Sequence, residues 1–257
     1  MSLKNQFSKF SHKLFGSNSI IRLFEKLSGT KAYKTLPLGL EPLLDIKYSI
    51  PNYQIKTIID VGANVGQSEK HFAHHAPKAL IHCIEPIQTT FSLLIKNKVG
   101  KNTKCHCLAL GEKNESIEIK IDKNTPLVSN SLIAKNTESS TNFYVEKIKV
   151  QTLSDFALKN NIQHINLLKI DTEGFDLKVL KGGESLLESK AIDFIEVEVS
   201  MNSFNTFHVS FQEISSYLDG YGYHKFGIYE QIHDFKLQKP ILRRCNVMFI
   251  SEKMINP

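Results

Sequence analysis

From residue 55 onward, short apolar runs of strand length alternate with helical stretches, and this rhythm constrains the fold more than any other feature of the chain. Neighbouring parallel strands need a crossover between them, and the usual crossover is a helix, so the alternation reads as βαβ units building a mostly parallel sheet. Strands are expected at 56-KTIIDVG-62, 79-ALIHCIEP-86, 103-TKCHCLAL-110, 165-INLLKID-171 and 191-AIDFIEVEVS-200. Helices are expected at about residues 66 to 75, 87 to 98, 152 to 160, 175 to 188 and 210 to 219.

Two segments break the rhythm. Between residues 111 and 151, IEIKI and EKIKV alternate apolar with polar around a Ser/Asn/Thr-rich loop, which predicts a hairpin-like excursion. Near the end, 223-YHKFGIYE-230 and 245-CNVMFISE-252 read as a closing strand pair, so an antiparallel element is expected beside the parallel ones.

The formal charge of +6 is concentrated at the start, where Lys4, Lys9, Lys13, Arg22, Lys26, Lys31 and Lys34 face a single acid, Glu25. Residues 1–50 are therefore read as a basic helical N-terminal extension, with two short amphipathic helices over 3–27, and residues 51–257 as the main domain. The extension would either pack as a cap or lie peripherally on an anionic membrane surface. Nucleic acid is not expected as a partner, because no basic stripe is interleaved with stacking aromatics elsewhere. The longest apolar runs fall short of the roughly 18 to 20 residues that span a bilayer. Four cysteines with no C-x-x-C spacing read as buried reduced thiols, and together these features predict a soluble, cytoplasmic protein.

The loop 60-DVGANVGQ-67 places Gly62 and Gly66 between a buried strand and a helix, where open α/β sheets bind ligands. A dinucleotide fingerprint would need glycine where Asn64 stands, and no Lys-Ser/Thr follows to make a phosphate loop. A nucleoside carrying an amino-acid tail, such as S-adenosylmethionine, fits what remains. Glu85, at the end of the second strand and about 20 residues beyond the loop, is where a carboxylate accepts from ribose hydroxyls.

Taken together, DVGANVG, IEP, the Ala109-Leu110-Gly111 turn, VQTLSDF, LLKIDTEGFDLKVLKGG and IEVEV resemble the FkbM family of S-adenosylmethionine-dependent methyltransferases over roughly residues 55 to 200. The resemblance implies a Rossmann-like seven-stranded methyltransferase sheet with an antiparallel last strand and helices on both faces. It also implies O-methylation of a hydroxyl, on a sugar or glycan in many members and on a small metabolite in others. By position, Gly62, Asn64 and Gly66 would line the methionine end of the cofactor, with Asp60 grouped beside them, Glu85 at the ribose and Ala109 near the adenine. Ser154 departs from the family by standing where an acid is frequent, with Asp155 one residue further on.

The two acids of KIDTEG carry the chemical question. Methyl transfer to an alcohol is an in-line displacement that also removes a proton, so an aligned nucleophile and a nearby base are needed. Asp171 is expected toward the cofactor and Glu173 toward the acceptor, with Glu198 joining them as a catalytic candidate. One alternative is that Asp171, Glu173 and Glu198 hold Mg²⁺; another is that Glu173 and Asp176 simply favour a helix N-terminus. No metal ligand set is assigned. His71, His74 and His75 lack the Glu of an HExxH motif and read as a solvated helix face, while Ser129, Asn130 and Ser131 read as acceptor contacts. The expected function is O-methylation of a sugar hydroxyl on a glycan or its precursor. The alternatives are a small secondary metabolite as acceptor, or a non-catalytic cofactor-binding or membrane-contact module.

Overall fold

The computed structural model describes residues 26–27, 37–122, 143–234 and 240–255. The chain divides into compact units Met1–Leu40 and Glu41–Pro257, and every strand and helix named below belongs to the second. The amphipathic helices expected over 3–27 fall, apart from residues 26–27, outside the described residues, as does the Ser129–Ser131 stretch.

Seven strands form the main sheet: β1 (Thr57–Val61), β2 (Leu80–Ile84), β3 (Thr103–His106), β7 (Ile165–Ile170), β8 (Ile192–Ser200), β9 (Tyr223–His233) and β10 (Leu242–Ser251), in the order β3-β2-β1-β7-β8-β10-β9. The first five are mutually parallel, and β10 runs antiparallel to both its neighbours. This is the mostly parallel α/β sheet with an antiparallel element that the rhythm and the closing pair predict, and the Rossmann-like seven-stranded sheet with an antiparallel last strand that the resemblance implies. The excursion becomes a second sheet, in which β6 (Phe143–Gln151) pairs antiparallel with β5 (Glu115–Asp122) and parallel with the short β4 (Ala109–Leu110).

One strand is two. Residues 103–110 were expected to run continuously, but β3 is the edge of the main sheet, and the chain leaves it after His106 to pair with β6 through β4. Periodicity does not distinguish one strand from two collinear ones that pair with different partners.

Both faces of the main sheet are covered, which is why β7 and β8 are buried along their whole length rather than alternately. On one face Ile59, Leu168, Ile170, Ile195 and Val197 pack with side chains of α4 (Leu153–Lys159), α5 (Asp176–Lys181) and α7 (Phe211–Gly220). On the other, Ile58, Ile81, Leu167, Phe194 and Met248 join Phe72 of α2 (Gln67–His75) and Leu94 of α3 (Gln88–Asn97). Leu43 and Ile46 of α1 (Pro42–Ser49) belong to the same cluster, so a helix grouped by sequence with the extension is built into the main core.

The K-G-G end of the long motif has a packing reason. A Cβ on Gly182 would lie 2.0 Å from the carbonyl oxygen of Gly111, so two glycine-marked turns meet backbone to backbone. Ser154 docks at the same junction: its N–H donates to the Gly182 carbonyl, and its hydroxyl lies 2.8 Å from that of Ser185, in α6 (Glu184–Glu188). Asp155 accepts from the Asn114 amide instead.

Candidate active site

On the face covered by α1, α2 and α3, the strands change character toward their carboxyl ends. Ile58, Leu167 and Phe194 sit in the core, and two residues further along each strand stand Asp60, Lys169 and Glu196. The register aligns these three as neighbours, acid, lysine, acid, all buried. Another two residues on come Gly62, Asp171 and Glu198, at the rim. Strand alternation thus delivers a polar edge at the carboxyl ends of β1, β7 and β8, on an apolar base.

The glycine loop is tightly fitted to this edge. Gly62 has φ +83°, and a Cβ there would fall 2.0 Å from the Asp171 carbonyl oxygen. The N–H groups of Gly62 and Ala63 both donate to the Ile84 carbonyl. Asn64 is left-handed, with φ 49°, a conformation that Asn tolerates better than most residues. Its N–H donates to Glu85 Oε2 at 3.2 Å, while Ile87 N–H donates to Oε1 at 3.0 Å. Gly66, with φ +93°, caps α2. Burial pushes the Glu85 carboxyl up to about 7 despite those two donors, and the neighbouring charges of Glu173 and Asp60 add to the rise. Ala109 is a buried strand residue of the second sheet and shares a core cluster with Ile87, two residues beyond Glu85.

Asp60 lies deeper. It is fully buried, and among the described residues neither carboxylate oxygen has a hydrogen-bond partner. Burial raises it to about 6, against the pull of Lys169. Lys169 Nζ bonds Asp171 Oδ2 at 3.2 Å. Burial alone would strip its proton, but Asp171, Asp60 and Glu196 hold it firmly charged. For Asp171, burial would raise the carboxyl, yet Lys169 leads the groups that keep it below the usual range.

The turn after β7 explains the rest of KIDTEGFD. Asp176 accepts from the N–H groups of Thr172 and Gly174, both at 3.0 Å, so it folds the turn, as the helix-terminus alternative allowed. Glu173 is left-handed with φ 52°, and Gly174 follows at 106°. A non-glycine residue in this region costs of order 1 kcal/mol and needs its surroundings to hold it there. The Glu173 charge contributes to the rise at Glu85.

Glu198 belongs to a group that sequence alone did not assemble. Its carboxylate pairs with the Arg244 guanidinium of β10, and Oε2 lies 3.3 Å from His208 Nε2. His208 comes from the loop between β8 and α7. Its side chain is 5% exposed, and its Nδ1 is buried without a hydrogen-bond partner among the described residues. Burial lowers its pKa, and the charge of Arg244 helps hold Asp171 ionised. Lys169, His208 and Arg244 were all missed by sequence reasoning. Only Lys169 carries a signal, a charged residue inside the apolar run INLLKI.

The arrangement does not support the Mg²⁺ alternative. Asp171 is paired with Lys169 and Glu198 with Arg244, and among the described residues Asp171, Glu173 and Glu198 do not converge as one set of ligand atoms. Also among the described residues, no helix is long and apolar enough to cross a membrane.

Known proteins carry related sequences. The chain is 29% identical over 145 residues to "Methyltransferase 1" of Beauveria bassiana, a match covering 49% of this chain and 57% of that protein. It is also 29% identical over 140 residues to the hexuronic acid methyltransferase AglP of Haloferax volcanii, covering 54% of each. The chain thus spans little more than half the length of these relatives. Among solved structures, a METTL16 methyltransferase domain aligns over 92% of this chain and 81% of its own at 11% identity, with a TM-score of 0.47, a likeness that adds nothing to the strand order above. A family description, the Methyltransferase FkbM domain, matches residues 60–225, a stretch that opens on Asp60 and takes in Gly62, Glu85, Asp171, Glu173, Glu198 and His208. On that match, which covers well over half its length, the chain belongs to the FkbM methyltransferase family.

Proposed function

We propose that the chain is an S-adenosylmethionine-dependent O-methyltransferase acting on a sugar hydroxyl of a glycan or glycan precursor. The observation that carries the reading is the cradle at the carboxyl ends of β1 and β2: a glycine turn with no room for a side chain, beside a buried carboxylate held by two backbone N–H groups. The hexuronic acid relative supports a sugar as acceptor.

The residues present suit the cofactor. Glu85 keeps lone pairs beyond the two that accept N–H groups, enough for ribose hydroxyls. Asp60, buried with unpartnered oxygens beneath the loop, complements the ammonium of a methionine tail. Gly62, Asn64 and Gly66 let the chain pass close to that tail. When bound, S-adenosylmethionine supplies an electrophilic methyl group on a sulfonium.

On the acceptor side, the base must take a proton at neutral pH. Asp171 is a poor base because Lys169 holds it ionised and bonded, and Glu198 is committed to Arg244. His208 is better suited: Glu198 beside Nε2 favours a proton there, which leaves Nδ1 with its lone pair, and burial keeps the ring neutral. Glu198 then positions His208, and Glu173 faces the incoming hydroxyl.

Calorimetry should detect S-adenosylhomocysteine binding to the purified protein, and labelled cofactor should methylate members of a glycan panel enriched in uronic acids. The reading fails if the protein binds neither S-adenosylmethionine nor its product, or if labelled methyl goes only to non-sugar acceptors.

A further inference from the structure

A second cluster lies apart from the glycine loop, on the same helix. His71 and His75 are i, i+4 neighbours near the end of α2, with ring centroids 4.6 Å apart, and Glu41 approaches them as the N-cap residue of α1. His71 Nε2 lies 3.0 Å from each Glu41 oxygen. One ligand atom from each of Glu41, His71 and His75 can be chosen so that all lie within 4.8 Å of one another. We infer that Glu41, His71 and His75 form a binding site for one divalent transition-metal ion of the zinc type.

Two neutral imidazoles and a carboxylate are the donor set such ions prefer, and magnesium or calcium would want more oxygens. Zinc bonds of about 2.0 to 2.2 Å place tetrahedral donors roughly 3.4 Å apart, so the present spacing asks only for modest rotation, chiefly of the exposed His75. The carboxylate is already steered: Glu41 Oε1 accepts the Leu43 N–H at 2.9 Å, the kind of outer contact that fixes a metal ligand. Binding would tie α1 to α2. Residues 71 and 75 lie five and nine positions beyond Gly66, about 8 and 13 Å along the helix, so the ion would sit clear of the glycine loop.

Untagged protein, stripped with a chelator and dialysed against zinc, should take up one ion per chain, raise its melting temperature, and give a tetrahedral visible spectrum with cobalt. His75→Gln, which alters an exposed side chain, should weaken zinc binding at least about tenfold. His71→Gln/His75→Gln should abolish both the uptake and the thermal shift, while S-adenosylhomocysteine affinity stays as in the parent. That last readout keeps a failure here separate from a failure of the methyltransferase reading. No saturable uptake would overturn the inference. So would full uptake by the double variant, or uptake lost only in Cys107→Ser, which would assign the ion to the exposed thiol.

Discussion

The two halves of the carboxyl edge are built by different means. The half at β1 and β2 is made of backbone: Gly62 pressed on the Asp171 carbonyl, and N–H groups of Asn64 and Ile87 closing on Glu85. The half at β7, β8 and β10 is made of side-chain charges gathered from separate segments, with Lys169 among Asp60, Asp171 and Glu196, and Arg244 and His208 on Glu198. The first tolerates almost no change of shape. The second tolerates almost no change of charge.

The largest expected effect tests the charged half. Lys169→Met keeps the volume but leaves three acids without their cation, and breaking a buried pair costs about 3 to 5 kcal/mol. Urea unfolding at pH 7 measures it. The loss should shrink toward pH 5.5, because Asp60, raised to about 6, and Glu196, raised to about 7, then take up protons and need no partner. A loss below about 1 kcal/mol at pH 7 would show that the row is not a charge unit.

Gly62→Ala tests the backbone half. Left-handed strain and overpacking together predict about 2 to 4 kcal/mol of destabilisation, with no relief at lower pH. If the two substitutions respond to pH alike, the distinction between the halves collapses.

Glu85→Gln is milder, since it removes charge but keeps shape. S-adenosylhomocysteine affinity should fall about tenfold, near 1.4 kcal/mol. If Glu85 holds the ribose as proposed, the hydroxyls favour its ionised form in the parent, so affinity should be greatest above pH 7 and decline as pH falls through about 7. Calorimetry from pH 8 to 5.5 should show that decline in the parent and far less of it in the variant. The smallest effect on binding is expected for His208→Gln, which should leave product affinity within about twofold while slowing methyl transfer about 100-fold or more. Loss of product binding would move His208 out of the acceptor half.

How much of the molecule was legible in its sequence divides the same way. Gly62, Gly66 and Glu85 announce themselves because a turn and a strand end are local events with local residue requirements. The strand rhythm likewise specified the sheet, and the closing pair its antiparallel member. The split of 103–110 was hidden because choosing a pairing partner is not local. Lys169 was visible only as a discord inside INLLKI, and its meaning depends on register with Asp60 and Glu196, more than 25 residues away on either side. His208 and Arg244 sit in stretches with no special pattern and acquire a role only when β10 is laid beside β8. Asp176 was read as a generic helix-start acid, whereas its two backbone bonds shape the turn that carries Glu173.

That placement of β10 also ties two features of the sheet to one strand. It is made after β9 yet lies between β9 and β8, so neither neighbour has its full set of hydrogen bonds until β10 arrives. The strand that closes the hydrogen bonding of β8 is thus the strand that carries Arg244 to Glu198, so the charged half of the edge depends on β10 in a way the backbone half does not.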